Sequence, residues 1–248
     1  MKFQVIIPAR YESTRFPGKP LAMLGGKPMI QWVYERAEEV VNDVCVATDD
    51  ERIFSAVTAF GGKAVMTMNT HKSGTDRICE AYEKLGSDAD VVINLQGDEP
   101  FVLPEQIQLL TDCFDNPNTQ IATLVRPFGS EEDIFDSNIV KVVFEQLTHR
   151  AIYFSRSPIP YLRGVEQALW AKSIPYYAHI GMYAYRADTL KQITQLPQSP
   201  LEKAESLEQL RWLEAGIPIY VGKTDRPTIG IDTPQDLDAA RKYLSSIL

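Results

Sequence analysis

Four short apolar runs, each followed by a stretch with helical apolar spacing, constrain this chain more than any other feature. The runs fall at residues 5–8, 44–48, 64–67 and 91–95 and read as buried strands. Between them, apolar residues recur every three or four positions, most clearly at Met29, Ile30, Val33, Tyr34, Ala37, Val40 and Val41. The spacing predicts helices opening at Pro28, over residues 51–60 with Gly61 as the stop, over about 75–85 and over 104–114. Four strand–helix repeats imply a parallel sheet with helices on both faces, a doubly wound α/β domain. Ligands of such sheets lie beyond the carboxyl ends of the strands. The loop over residues 10–27 and the turn at Asp98 both follow strand ends, so both belong at that crevice.

After residue 118 the pattern changes. Residues 121–125, 140–144, 151–154 and 176–185 are β-like, with few helices between them. Helical spacing returns at 187–195 and 200–215, a strand follows near 219–221, and a last helix starts near Pro234. The expected organisation is a single domain: a core over about 1–118, a β-rich elaboration over about 119–216, and a return to the core over about 217–248. Residues 164–173 have the weakest pattern and are expected to form a mobile or crossing segment.

The formal net charge of −8 sets the surface as a whole against nucleic acid and anionic lipid. Any phosphate chemistry must therefore rest on a local cluster of cations. Cys45, Cys79 and Cys113 are odd in number and widely spaced, which points to three buried free thiols rather than a disulfide frame or a zinc site. No segment is long and apolar enough to span a membrane, and the first residues read as a strand rather than a signal peptide. A reducing, cytoplasmic setting follows as the expectation.

The first loop lacks both the dinucleotide fingerprint and the Walker phosphate loop. It carries Arg10, Arg15 and Lys19 instead, with Gly18 beside Lys19 where backbone can approach phosphate. A nucleoside triphosphate suits such a cluster; a solvated basic loop explains it equally well. Asp98, just past the most apolar strand, is placed to bind Mg²⁺, and is also an ordinary turn residue. Asp232 precedes Thr233-Pro234 and is explained as well by helix capping as by metal binding. Ser73 and Asp76 have capping-box spacing, while Ser73, Gly74 and Arg77 together offer groups for a base edge and a phosphate. His149 and His179 show no metal-ligand spacing, and no serine or cysteine triad is evident.

The order of the motifs decides between these readings. Residues 7–21 read Ile-Pro-Ala-Arg-Tyr-x-Ser-Thr-Arg-x-Pro-Gly-Lys-Pro-Leu. Then come His71-x-Ser73-Gly74-Thr75-Asp76-Arg77, Asn94-x-Gln96-Gly97-Asp98-Glu99-Pro100 and Tyr153-Phe154-Ser155-Arg156-x-x-Ile159-Pro160. His179-x-Gly181-x-Tyr183-x-Tyr185-Arg186, Pro200-Leu201-Glu202 with Leu207-Glu208-Gln209-Leu210-Arg211, and Gly230-x-Asp232-Thr233-Pro234 complete the series. Over essentially its whole length the chain resembles the 3-deoxy-manno-octulosonate cytidylyltransferases.

That resemblance implies a Rossmann-like doubly wound nucleotidyltransferase core with a β-rich sugar-binding and dimerisation elaboration, Mg²⁺ dependence and a homodimer. The implied reaction moves CMP from CTP to an acidic eight-carbon sugar, with pyrophosphate leaving, for lipopolysaccharide biosynthesis. Ala9, Arg10, Arg15, Lys19, Ser73, Gly74 and Arg77 match positions that bind CTP. Asp98 and Asp232 match the metal ligands, and with Lys19 and Arg15 form the implied catalytic group. Gln96, Arg156, His179, Tyr183, Glu208 and Gln209 match positions that contact the sugar acid. The rival readings are a cytidylyltransferase for a sialic acid or an amino-substituted octulosonate, a glycosyltransferase, and a catalytically dead nucleotide-binding regulator.

Overall fold

Through residue 112 the chain adopts the alternation that the apolar runs imply. The computed structural model describes residues 1–12, 15–130, 132–228 and 230–247, with side chains through Leu244 at its C-terminal end. Ser13 and Thr14 of the opening motif lie outside the described residues. In chain order the elements are β1 (Phe3–Ala9), β2 (Met23–Leu24), β3 (Lys27–Pro28), α1 (Met29–Glu38), β4 (Val44–Thr48), α2 (Glu51–Ala59), β5 (Ala64–Met66), α3 (Gly74–Lys84), β6 (Val91–Asn94) and α4 (Pro104–Asp112). They continue with β7 (Ile121–Pro127), β8 (Lys141–Phe144), β9 (Ala151–Ser155), α5 (Trp170–Ser173) and β10 (Tyr177–Arg186). The last are α6 (Ala187–Ile193), α7 (Pro200–Glu205), α8 (Gln209–Glu214), β11 (Ile219–Lys223) and α9 (Pro234–Ile247).

The chain divides into two compact units: Met1–Gln108 with Ala184–Thr194 and Thr228–Leu248, and Leu109–Tyr183 with Gln195–Pro227. The first unit ends ahead of the boundary expected near residue 118 and regains residues 184–194 before the expected return. Its strands run β6-β1-β4-β5, all parallel, with Val5 opposite both Val44 and Ile93. Every residue of β4 and β6 is buried, as strands covered on both faces require. The chain progresses outward from β1 through β4 to β5, then returns to the other side of β1 for β6. Strand order thus reverses beside β1, and the carboxyl ends of β1 and β6 flank the switch point where such sheets hold ligands.

The long first loop is more structured than its polar composition suggests. Lys19–Leu21 form a 3₁₀ turn, and β2 and β3 make a small antiparallel hairpin about Gly25 and Gly26. Pro28 belongs to that hairpin, so α1 starts one residue later than expected and stops before Val40 and Val41. The hairpin is held from behind: Leu24 and Met29 join Ile231, Leu237, Ala240 and Leu244 in one buried cluster. This packing brings the segment before α9 against the end of β6, where the Ile231 amide donates to the Asp98 carbonyl at 3.0 Å.

In the second unit β11 pairs in parallel with β7, and β10 lies next to β7. β8 pairs antiparallel with both β10 and β9. Two expectations change here. Residues 164–173 are anchored rather than loose, because Trp170 is 2% exposed and packs with Ile134 and Tyr176 while its indole N–H donates to the Val165 carbonyl. The helix expected over 200–215 is two helices, α7 and α8, separated at Ser206, whose φ of 52° is left-handed.

Candidate active site

Four of the sequence-predicted residues converge in the first unit. Gly18 turns the chain at φ 72°, and a Cβ there would lie 3.0 Å from the Tyr11 ring. Glycine is therefore required by the turn and by Tyr11, a different reason from the phosphate approach expected of it. The turn delivers Lys19, whose Nζ stands 2.5 Å from Asp98 Oδ2 and 3.1 Å from Asp232 Oδ1. Arg15 reaches the same oxygen of Asp232 at 3.5 Å. Burial works against the Lys19 charge, but the two carboxylates more than offset it and hold its pKa above the ordinary value.

Asp98 is aimed by the turn after β6. A Cβ on Gly97 would lie 3.1 Å from Ile30 and 3.3 Å from the Pro8 carbonyl, so a larger residue would crowd this turn against the end of β1. Asp232 is free to point at Lys19 because another residue caps α9. Thr233 Oγ1 accepts from the Asp236 amide, and the Asp236 carboxylate accepts from the amides of Asp232 and Thr233. The capping role considered for Asp232 thus belongs to its neighbour. Next to Asp98, the Glu99 carboxyl is buried, and burial together with Asp98 and Asp232 pushes its pKa up to about 7.

A cavity of about 160 Å³ opens beside this cluster, lined among others by Ala9, Arg10, Glu12, Lys19, Gln96 and Asp98. Arg10 also donates to the His71 carbonyl, which ties the β1 loop to the segment before α3. Ser73 is the N-cap of α3 and forms a full capping box with Asp76. Gly74 lies against the Pro8 ring. Arg77 departs from expectation: its side chain is wholly buried, donating to Asp49 at 2.7 Å and Thr67 at 2.5 Å. The guanidinium is committed to the ends of β4 and β5, so it braces the helix start instead of meeting phosphate.

Two carboxylates that converge on one ammonium present a cation site of hard oxygen donors. Among the described residues no group of three or more His, Cys, Asp or Glu side chains could cage a metal. Asp98 and Asp232 are the residues here that could hold a divalent cation.

The second unit assembles the remaining residues. The ring of His179 lies 5.3 Å from those of Phe154 and Tyr183, and Tyr183 lies 5.2 Å from Trp212 of α8. His179 Nε2 is 3.0 Å from Thr123 Oγ1, and burial pushes its pKa down to about 4. Arg156 follows β9 and is held by backbone: Nε donates to the Glu205 carbonyl at 2.6 Å and Nη1 to that of Ser137 at 2.9 Å. The break at Ser206 turns the Glu205 carbonyl out of a continuous helix, which is why periodicity alone misjudged the segment. Glu208 pairs with Arg211 at 2.7 Å. Gln209 is 5% exposed and its Nε2 has no hydrogen-bond partner, an orphaned buried donor of the kind a ligand oxygen satisfies.

Sequence reasoning passed over Glu12, Thr123, Lys141 and Glu205. Lys141 left a signal, a lysine inside an apolar strand; it is fully buried, donating to the carbonyls of Asp136 and Arg156 at 2.6 and 2.7 Å. Burial lowers its pKa. Glu205 accepts from Ser155 Oγ at 2.7 Å and from the Arg156 amide at 2.9 Å. Glu12, Thr123 and Glu205 carried no pattern that distinguishes them from surface or core residues.

The cytidylyltransferase family profile matches residues 4–221. The chain is 60% identical to the 3-deoxy-manno-octulosonate cytidylyltransferase of Parabacteroides distasonis, over 99% of each chain. It is 48% identical to the enzyme of that name from Escherichia coli, over 100% of this chain and 98% of the other. A solved structure described as CMP:2-keto-3-deoxy-manno-octonic acid synthetase complexed with CTP superposes with a TM-score of 0.92 at 48% identity, each chain covered completely.

Proposed function

The chain belongs to the cytidylyltransferase family, among the 3-deoxy-manno-octulosonate cytidylyltransferases, and we propose that Lys19, Arg15, Asp98 and Asp232 carry its chemistry. It transfers CMP from CTP to 3-deoxy-D-manno-octulosonate (KDO), giving CMP-KDO and pyrophosphate. The product's role is in lipopolysaccharide biosynthesis. The observation that carries the site assignment is the convergence of Asp98 and Asp232 on the Lys19 ammonium.

The physical difficulty is charge. A sugar carboxylate must be brought to a triphosphate, and each pair of like unit charges about 4 Å apart costs about 4 kcal/mol at an effective dielectric near 20. Lys19, Arg10 and Arg15 supply the opposing charge, through donors that bind phosphate oxygens in charge-assisted hydrogen bonds. Asp98 and Asp232 would hold Mg²⁺, which when bound supplies divalent charge against the phosphates and makes a neighbouring hydroxyl more acidic. Ser73 and Gly74 at the start of α3 meet the cytidine, positioned by the buried Arg77–Asp49 pair. Gln96 lines the cavity beside Lys19 and faces the sugar acid's reacting end. Arg156, His179, Tyr183, Glu208 and Gln209, all of the second unit, belong to the sugar-acid set that the motifs imply. The carbonyls of Glu205, Ser137 and Ser206 each take one N–H of Arg156, which leaves one on each Nη for the sugar acid's carboxylate.

We also read the chain as a homodimer in a reducing, cytoplasmic compartment. Cys45, Cys79 and Cys113 are free thiols, and no described helix is long and apolar enough to cross a membrane. Pyrophosphate release from CTP and KDO with Mg²⁺ tests the activity, and the same assay on Asp98→Asn tests the site. Turnover in that variant should fall by a factor on the order of 10² or more. Wild-type turnover in Asp98→Asn at modest Mg²⁺ would remove Asp98 from the metal.

A further inference from the structure

We propose that Thr123 is a positioning residue: its hydroxyl fixes His179 as the Nε2–H tautomer, so that Nδ1 is presented as an acceptor for a hydroxyl group of the sugar acid. This rests on the reading that His179 belongs to the sugar-binding set.

Thr123 sits in β7, wholly buried. Its Oγ1 lies 2.8 Å from the Met182 carbonyl, 3.1 Å from the Ile180 carbonyl and 3.0 Å from His179 Nε2. A threonine hydroxyl has one proton, and carbonyl oxygens only accept. The proton therefore goes to the carbonyls, with Met182 the nearer. What remains on Oγ1 toward the imidazole is a lone pair, so Nε2 must be the donor. A neutral ring protonated at Nε2 carries its own lone pair at Nδ1.

The neighbourhood supports the neutral form. Phe154 and Tyr183 flank the ring, with interplanar angles of 79° and 54°, and fix its plane without adding charge. Burial is what lowers the His179 pKa, to about 4. Among the described residues no group hydrogen-bonds Nδ1. An unprotonated ring nitrogen repels a carboxylate and accepts from O–H. His179 thus selects for a hydroxyl on the sugar chain, while carboxylate recognition belongs to Arg156.

The test begins with the wild-type protein, ¹⁵N-labelled at histidine, with His179 resonances assigned by their loss in His179→Gln. At neutral pH Nε2 should carry the proton and Nδ1 should not. Adding KDO without CTP should shift Nδ1 toward the hydrogen-bonded range and leave Nε2 in place. Thr123→Val, which keeps the side chain's shape, should raise KM for KDO about tenfold, the worth of one neutral hydrogen bond. It should leave KM for CTP unchanged, and Thr123→Ser should restore the wild-type value. An Nδ1–H tautomer or an imidazolium in the wild-type spectrum overturns the proposal without recourse to any variant. So does a Thr123→Val enzyme with unaltered KM for KDO. If the Nε2–H tautomer is found but His179→Gln binds KDO normally, the sugar-binding assignment of His179 is what has failed.

Discussion

Lys19 stands between Asp98 and Asp232, the two carboxylates proposed as metal ligands, and this changes what its removal should do. As a loop lysine seen in sequence, it is expected to matter for turnover and little for folding. In the structure its side chain is only 13% exposed and neutralises two carboxylates. Lys19→Ala should still lower kcat/KM for CTP by about 10² or more, since a donor to the phosphates is lost. It should also bind Mg²⁺ more tightly than wild type in the absence of nucleotide, because the competing ammonium is gone. Calorimetric titration with Mg²⁺ checks this, and equal or weaker binding would contradict it. His179 supplies a second residue-scale prediction, in pH. Its folded-state pKa, near 4, lies below the ordinary 6.5, so between these values the unfolded chain binds more protons than the folded one. Stability should therefore fall as pH drops from about 6.5 to about 4, and His179→Gln should flatten that part of the profile in chemical denaturation.

Helix boundaries matter most where they were hardest to read. The apolar spacing of residues 200–215 is continuous, yet the backbone breaks at Ser206. Two factors at the break do not register in periodicity: the left-handed φ of Ser206, and the demand of Arg156 for the Glu205 carbonyl. Ser206→Gly should leave the thermal midpoint unchanged or raise it, since glycine adopts that φ without strain. Ser206→Val, whose β-branched side chain fits a left-handed φ poorly, should lower stability by about 1 kcal/mol. If valine proved neutral and KM for KDO held steady, the break would have no part in holding Arg156. The start of α9 gives the complementary case. Capping by Thr233 and Asp236 was within reach of the sequence, and it is what leaves Asp232 available to Lys19.

At the scale of the molecule, the second unit leaves several large apolar side chains in solvent. Leu147 is 98% exposed, Tyr161 72% and Ile152 59%. Burying such groups against a second copy would contribute about 25 cal/mol per Å² of apolar surface, a driving force for the homodimer proposed above. Sedimentation velocity should give twice the mass of the chain, and Ile152→Asp should shift the equilibrium toward monomer. A monomer at every accessible concentration would end that reading. The net charge of −8 has its counterpart here as well: the molecule is anionic overall, so the cations at the end of β1 act by local placement.

The candidate site residues were named by the order of the motifs and the resemblance that order carries, whereas the sequence by itself determined the alternation of strand and helix and the loops that follow strand ends. These properties are written in short windows, where apolar period, glycine and capping residues act on near neighbours. Tertiary structure alone decided that β6 returns beside β1, and that Asp232, 213 residues from Lys19, meets the same ammonium as Asp98. It also decided that Arg77 faces Asp49 inside the protein, and that Thr123 addresses His179. Each of these depends on which strands become neighbours and which helix covers a hairpin. Those outcomes are set by the burial of the whole core, and no local stretch of residues encodes them.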